Sequence, residues 1–302
     1  KGRRGEGALA EAGESSSSCF ALVLIDSLTG HCEFVIANLE ARHALSRDNL
    51  GASSSAKASL QLEEMLFERA SARPPLIVLD ANVPADTLDY MLELGHRWRV
   101  PVFLEPTDVN CLPELVGLLK KLRAEEEDFS SSGSNYNDKN NHRHRLKALE
   151  YMSPNVIELE TMLRLFQSRA GQPPMAAGQG ALTMEQIETM ARELMELHLP
   201  DLGCLLVTMD KRGLLIGLRT SGQSSEQLEE MRLLQHNRDS SSGSAAPAPT
   251  DGPAPGTPTQ SLVFRHYSPL ETIESPVSAS GAGDCFAAGF ISGLINDLHL
   301  SD

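Results

Sequence analysis

The sequence predicts an α/β fold, a mostly parallel sheet with helices packed on its faces. Two observations predict it. Short apolar runs, 75-PLIVLDANVP-84 and 99-RVPVFLEP-106, end in polar residues, and each is followed by a segment of helical period, residues 85–97 and 112–123. Such alternation marks strands joined by crossover helices. Later, residues 204–208 form a further buried run, with 214–218 placed to pair with it. In sheets of this kind ligands gather beyond the carboxyl ends of the strands, where Asp80, Asn82 and Glu105 fall.

The elements follow in order. Residues 1–18, KGRRGEGALAEAGESSSS, have no period and read as disordered linker. The runs 19-CFALVLID-26 and 32-CEFVIANL-39 flank Ser27-Leu28-Thr29-Gly30 and read as a β-hairpin. Residues 60–69 carry a helical period. From 19 to 302 the chain reads as one partial domain with two low-complexity insertions, the charged, Ser/Asn-rich 124–145 and the Ser/Gly/Pro/Ala-rich 220–260. Between them, 151-YMSPNVIELETMLRLF-166 is a strand end, a proline and a helix; 171–180 is loop; and 184–197 is helical. Order returns at 261-SLVFRHY-267.

Composition excludes several classes. The 302 residues carry 26 basic and 41 acidic side chains, a net charge of −15 (26 − 41). With no Lys/Arg cluster, a nucleic-acid partner is not expected. The five cysteines, Cys19, Cys32, Cys111, Cys204 and Cys285, form no C-x-x-C pair, as in a reduced, cytoplasmic protein. No apolar run approaches the ~18 residues of a membrane span. The first residue is Lys1, so the chain is expected to be a fragment lacking its N-terminal part.

The stretch 278-SASGAGDCFAAGFISGLI-295 carries the chemistry. Glycines at 281 and 283 permit a tight turn and a close approach of a ligand to the main chain. The small, apolar run after them reads as a helix, whose first-turn N–H groups make an anion site. Asp284 stands at that terminus, where it serves either as an acid that moves a proton or as an ordinary N-terminal helix charge.

With 154-PNVIE-158 and 207-VTMDKRG-213 in that order, this stretch resembles the ribokinase-like (PfkB) family of carbohydrate and nucleoside kinases. The resemblance spans roughly 19–128, 146–219 and 261–298. It implies a three-layer α/β/α fold with a mostly parallel sheet and a small β lid at the 19–39 hairpin. It implies transfer of phosphoryl from ATP, with Mg²⁺ and room for a monovalent cation. Asp284 would be the catalytic base, and the N–H groups of Gly281, Ala282 and Gly283 the phosphate hole. Thr208 and Gly213 would border the nucleotide, and Asn155 and Glu158 would face the metal–phosphate cluster, Glu158 through water. Asn155 and Glu158 also fit a helix capping box, a reading that stays open beside the first. Two departures stand out: Asp210 replaces a usual glycine, and Ser278 an acid often found before the first glycine.

Within the family, 78-VLDANVPADTL-88, 101-PVFLEPTDV-109 and 153-SPNVIELETM-162 most resemble pseudouridine kinases. That implies conversion of pseudouridine to pseudouridine 5′-phosphate. It also allows a fused pseudouridine-5′-phosphate glycosidase outside this chain, or a homo-oligomer. The family's sugar-gripping opening part is not found, so no substrate residue is assigned. A kinase for ribose or another sugar, and an inactive kinase-derived binding module, are the alternatives.

Overall fold

A computed structural model describes residues 20–25, 32–38, 63, 67, 74–131, 142–168, 182–220, 261–271 and 281–296. Its strands are β1 (Phe20–Ile25), β2 (Cys32–Asn38), β3 (Ile77–Asp80), β4 (Val102–Glu105), β5 (Leu149–Met152), β6 (Cys204–Thr208), β7 (Leu214–Thr220) and β8 (Ser261–Tyr267). Its helices are α1 (Ala85–Trp98), α2 (Leu112–Ser131), α3 (Val156–Gln167), α4 (Met184–Glu193) and α5 (Ala282–Ile295). A π-helical turn, Leu194–His198, extends α4, and a 3-10 segment, His142–Ala148, leads into β5.

Strands β1 and β2 pair antiparallel as a two-stranded sheet. The other six form one sheet in the order β3-β4-β5-β6-β7-β8. β3 to β6 run parallel, and β7 and β8 return antiparallel at one edge.

Because side chains alternate across a strand, each strand divides its apolar residues between two layers. Val102, Leu104, Met152, Leu205, Val207 and Leu215 join one core with the inner faces of α1 to α4. Phe103, Cys204, Leu206 and Ile216 face the other way, against Ala287, Phe286, Phe290 and Ile291 of α5. The fold is therefore three-layered α/β/α, as the sequence predicts. Phe290 lies 6.2 Å from Phe103 and 6.0 Å from Tyr151, ring centre to ring centre, which seats α5 across β4 and β5.

Two expectations change. First, the segment 124–145 is not all low-complexity insertion, because α2 continues to Ser131 and the 3-10 segment begins at His142. Its charges support helix rather than loop, through the pairs Lys121–Glu125 and Arg123–Glu127 one turn apart. Arg145 then ties the 3-10 segment to Asp89 of α1 and Glu125 of α2. Second, β3 is not buried on both faces. Val78, in register with Phe103, is 51% exposed, since among the described residues only α5 covers that face. Most of the helical run 60–69, all of 1–18 and 171–180, nearly all of 220–260, and Ser278 lie outside the described residues.

Candidate functional site

The carboxyl ends of β3 to β6 and the start of α5 meet at one end of the sheet. Gly281 caps α5 in the left-handed region, φ 79°, with no side-chain cap. This turn frees the N–H groups of the first helical turn to face outward. A side chain there would meet nothing closer than Asp284 Oδ2 at 3.8 Å, so the glycine answers a backbone need and not a steric one. Ala282, Gly283 and Asp284 are all exposed.

Opposite them is Glu105, the last residue of β4. Its carboxyl is pushed up from 4.5 to about 7, first by burial and then by the charges of Glu158, Asp284 and Asp80; only the Ser153 hydroxyl, which donates to Oε2, draws it down. Four acids from β3, β4, α3 and α5 thus converge on one place. The strand ends are laced together: Ala81 N–H donates to the Glu105 carbonyl at 2.9 Å and Ser153 N–H to the Leu104 carbonyl at 3.1 Å.

Asn155 and Glu158 form a full capping box at the head of α3. Asn155 Oδ1 accepts from the Glu158 N–H at 2.9 Å, and Glu158 Oε2 accepts from the Asn155 N–H at 2.9 Å. Glu158 is 4% exposed, and burial raises its carboxyl above the usual range, with the Asp108 charge adding to it. One carboxylate oxygen is spent on the cap. Thr208, the last residue of β6, donates its N–H to the Pro154 carbonyl at 3.1 Å and bridges to Asn155, so both expected segments are joined at their ends.

Past Thr208 the chain turns through Asp210–Arg212 into β7. Asp210 takes φ 53°, the left-handed conformation for which glycine is the usual residue, and its side chain is exposed. Aspartate tolerates this region better than most residues. Gly213 has φ 89° and ψ −132°, a region essentially reserved for glycine. A Cβ there would also run into the Tyr267 carbonyl oxygen.

Thr107 stands outside every sequence expectation. It has φ 65°, and the Asp108 N–H donates to the Pro106 carbonyl at 2.8 Å, closing a three-residue turn. A β-branched residue in this region is strained. The turn follows Glu105 directly and places Asp108 where its charge acts on Glu158. Only a Glu-Pro at a strand end hinted that the chain must bend here.

Among the described residues no group of three or more His, Cys, Asp or Glu side chains is placed to hold a metal ion by itself. No helix among them is long and apolar enough to cross a membrane.

The fold and the end of the sheet that collects these groups define an α/β protein with a carboxylate-rich cluster at its strand carboxyl ends. No protein-family model and no curated protein matches the chain. Among solved structures it is similar to ribokinase from Giardia lamblia, at 11% identity and a TM-score of 0.46, over 91% of this chain and 54% of that one. It is also similar to Arabidopsis thaliana ribokinase complexed with ribose and ATP, at 15% identity and a TM-score of 0.43, over 91% and 56%. Ribokinase from Cryptococcus neoformans in complex with ADP gives 14% identity and a TM-score of 0.43, over 89% and 57%. The chain thus spans about half the length of the solved structures it matches.

Proposed function

We propose that the chain is part of an ATP-dependent kinase that phosphorylates a hydroxyl of a nucleoside or sugar. The observation that carries this reading is the left-handed turn at Gly281, which leaves the exposed Asp284 at the uncapped N-terminus of α5, facing Glu105. In phosphoryl transfer a protein mainly positions groups and stabilises charge. The N–H groups of Ala282 and Gly283 would hold the oxygens of the moving phosphoryl group, with the helix dipole behind them. Asp284 would take the proton of the substrate hydroxyl. That oxygen then bonds to the γ-phosphorus, the bond to the bridging oxygen breaks, and its electrons leave on ADP. Thr208 and Gly213 would border the nucleotide beside the β6–β7 turn. Asp210 does not argue against this, since it adopts a glycine-like backbone with its carboxylate in solvent.

The site suits Mg²⁺. Glu105 and Glu158 offer hard oxygen donors whose ionised forms are disfavoured by burial, a cost that a divalent cation relieves. Glu158, with one oxygen in the capping box, would act through metal-bound water. The ion would supply charge neutralisation on the phosphates.

The finer reading is that the substrate is pseudouridine, motivated by the likeness of 78–88, 101–109 and 153–162 to pseudouridine kinases; ribose or another sugar is its alternative. The test is a panel of nucleosides and sugars with ATP, run on the whole natural protein and on Asp284→Asn. Phosphorylation of one class, reduced about 10²–10⁴-fold in kcat by the substitution with ATP affinity retained, is the expected result. A variant that turns over like the wild type would remove Asp284 from this role. A protein that binds ATP but phosphorylates nothing would leave only a nucleotide-binding module.

A further inference from the structure

At the other end of the sheet from Glu105 and Asp284 lies a cleft of about 520 Å³. One wall is the last turn of α1 with the residues up to Pro101, and the other is the 3-10 segment entering β5. Clefts of this size take small organic ligands. Its lining includes His96, Arg97, Arg99, His144 and Lys147 against one carboxylate, Glu150. Such a concentration is notable in a chain of net charge −15.

Part of this charge serves the fold. Arg97 pairs with Glu63 at 2.7 Å and with Glu93, and basic residues in the last turn of a helix complement its dipole. Arg99 and Lys147 differ. Both are exposed, and neither makes an ion pair or a side-chain hydrogen bond with a described residue. Arg99 also stands in the left-handed region, φ 54° and ψ 46°, at the cap of α1. A glycine would close the helix there without strain. The arginine brings to the cleft mouth a charge that the cap does not need.

The two histidine rings lie 6.1 Å apart across the cleft. Burial, and then the Lys147 charge, hold His144 below its ordinary value, while burial pushes the Glu150 carboxyl up. An anion between them would favour the His144 imidazolium and push the Glu150 carboxyl up further, toward the protonated form that can donate a hydrogen bond to it. A guanidinium fork and an ammonium on opposite walls match the oxygens of a phosphate group. An inorganic phosphate alone would leave most of this volume unfilled.

We propose that this cleft is a second ligand site, which binds a small organic phosphate or pyrophosphate through Arg99 and Lys147. It is separate from the candidate transfer site and stands whether or not that site is a kinase centre.

Trp98, the single tryptophan of the sequence, lies between Arg97 and Arg99, stacked on Phe67 at 5.3 Å. The whole natural protein would be titrated with ribose 5-phosphate and with inorganic pyrophosphate at fixed ionic strength. Trp98 emission and heat of binding would be followed together. Arg99→Gly and Lys147→Gln are the test variants; glycine suits the backbone at 99, so an unchanged or raised Tm confirms that the fold is kept. Saturable binding of either probe, weakened at least about tenfold in the double variant, is the expected result. No saturable heat with either probe overturns the proposal. So does binding that survives the double variant, which would assign it to the transfer site.

Discussion

The Ser153 hydroxyl donates to Glu105 Oε2 across the ends of β5 and β4, and it is the one contact that favours the charged form of this carboxyl. Burial and three neighbouring acids work the other way and raise Glu105 from 4.5 to about 7. The folded state therefore binds a proton between these values that the unfolded chain has already released. Stability contributed by Glu105 is present below pH 4.5 and is lost as pH rises through about 7. Glu105→Gln should be more stable than wild type at pH 8 by roughly 1–2 kcal/mol, after allowing for partial exposure, and little changed at pH 4.5. Ser153→Ala should push the Glu105 carboxyl higher still. Thermal melts across this range check both. Equal differences at the two pH values would show that charge is not the cause.

Glu158 can be separated from its capping role by choice of substitution. Glu158→Gln keeps an oxygen that accepts from the Asn155 N–H, so the Tm should hold. The Mg²⁺ concentration at half-maximal rate should rise several-fold, because an amide orders metal-bound water less well. Asn155→Ala, in contrast, should cost about 0.5–2 kcal/mol through loss of the cap. An unchanged Mg²⁺ titration in Glu158→Gln would leave this acid a structural residue only.

Gly213 and Gly281 both have positive φ, at 89° and 79°, but different surroundings. Alanine at 213 meets the Tyr267 carbonyl and a backbone region closed to it, and should lower stability by more than about 2 kcal/mol. Alanine at 281 meets open space and should cost about 1–2 kcal/mol from backbone strain alone, while tilting the N–H groups behind Asp284. Denaturant unfolding of the two variants measures the contrast. Similar losses would mean that the Tyr267 carbonyl gives way.

Thr220 and Ser261 end the antiparallel pair β7–β8, their hydroxyl oxygens 2.7 Å apart. Replacement of 221–260 by a short Gly/Ser turn should then leave the Tm within a few degrees, since loop length costs little once the ends are fixed. A large drop would show that these residues pack on the domain.

Strands β3, β4 and β6 were legible because each is an apolar run that ends at polar residues. So was the order of the candidate residues along the chain, since Glu105 and Thr208 end strands and Asn155 and Asp284 open helices. Other features were not. The run 124–131 reads as low-complexity insertion because charges that pair one helical turn apart look, in sequence, like a polar tract without a period. The exposure of Val78 depends on what covers one face of the sheet, which β3 itself does not encode. Thr107 carries no mark of its left-handed turn. The basic cleft joins residues about fifty positions apart, and only the pairing of β4 with β5 brings 95–101 beside 144–150.

In the six-stranded sheet, spatial order and chain order are the same, from β3 to β8. Among the described strands, none has to slip between two that are already paired. As the chain leaves the ribosome, each new strand meets a finished edge made by the strand before it, and its crossover helix has by then been synthesised. The sheet can therefore be built vectorially, with short-lived edges and no long wait for a distant partner. Slow translation through a long interstrand segment, such as 221–260, would leave β7 as a growing edge and would not undo what precedes it.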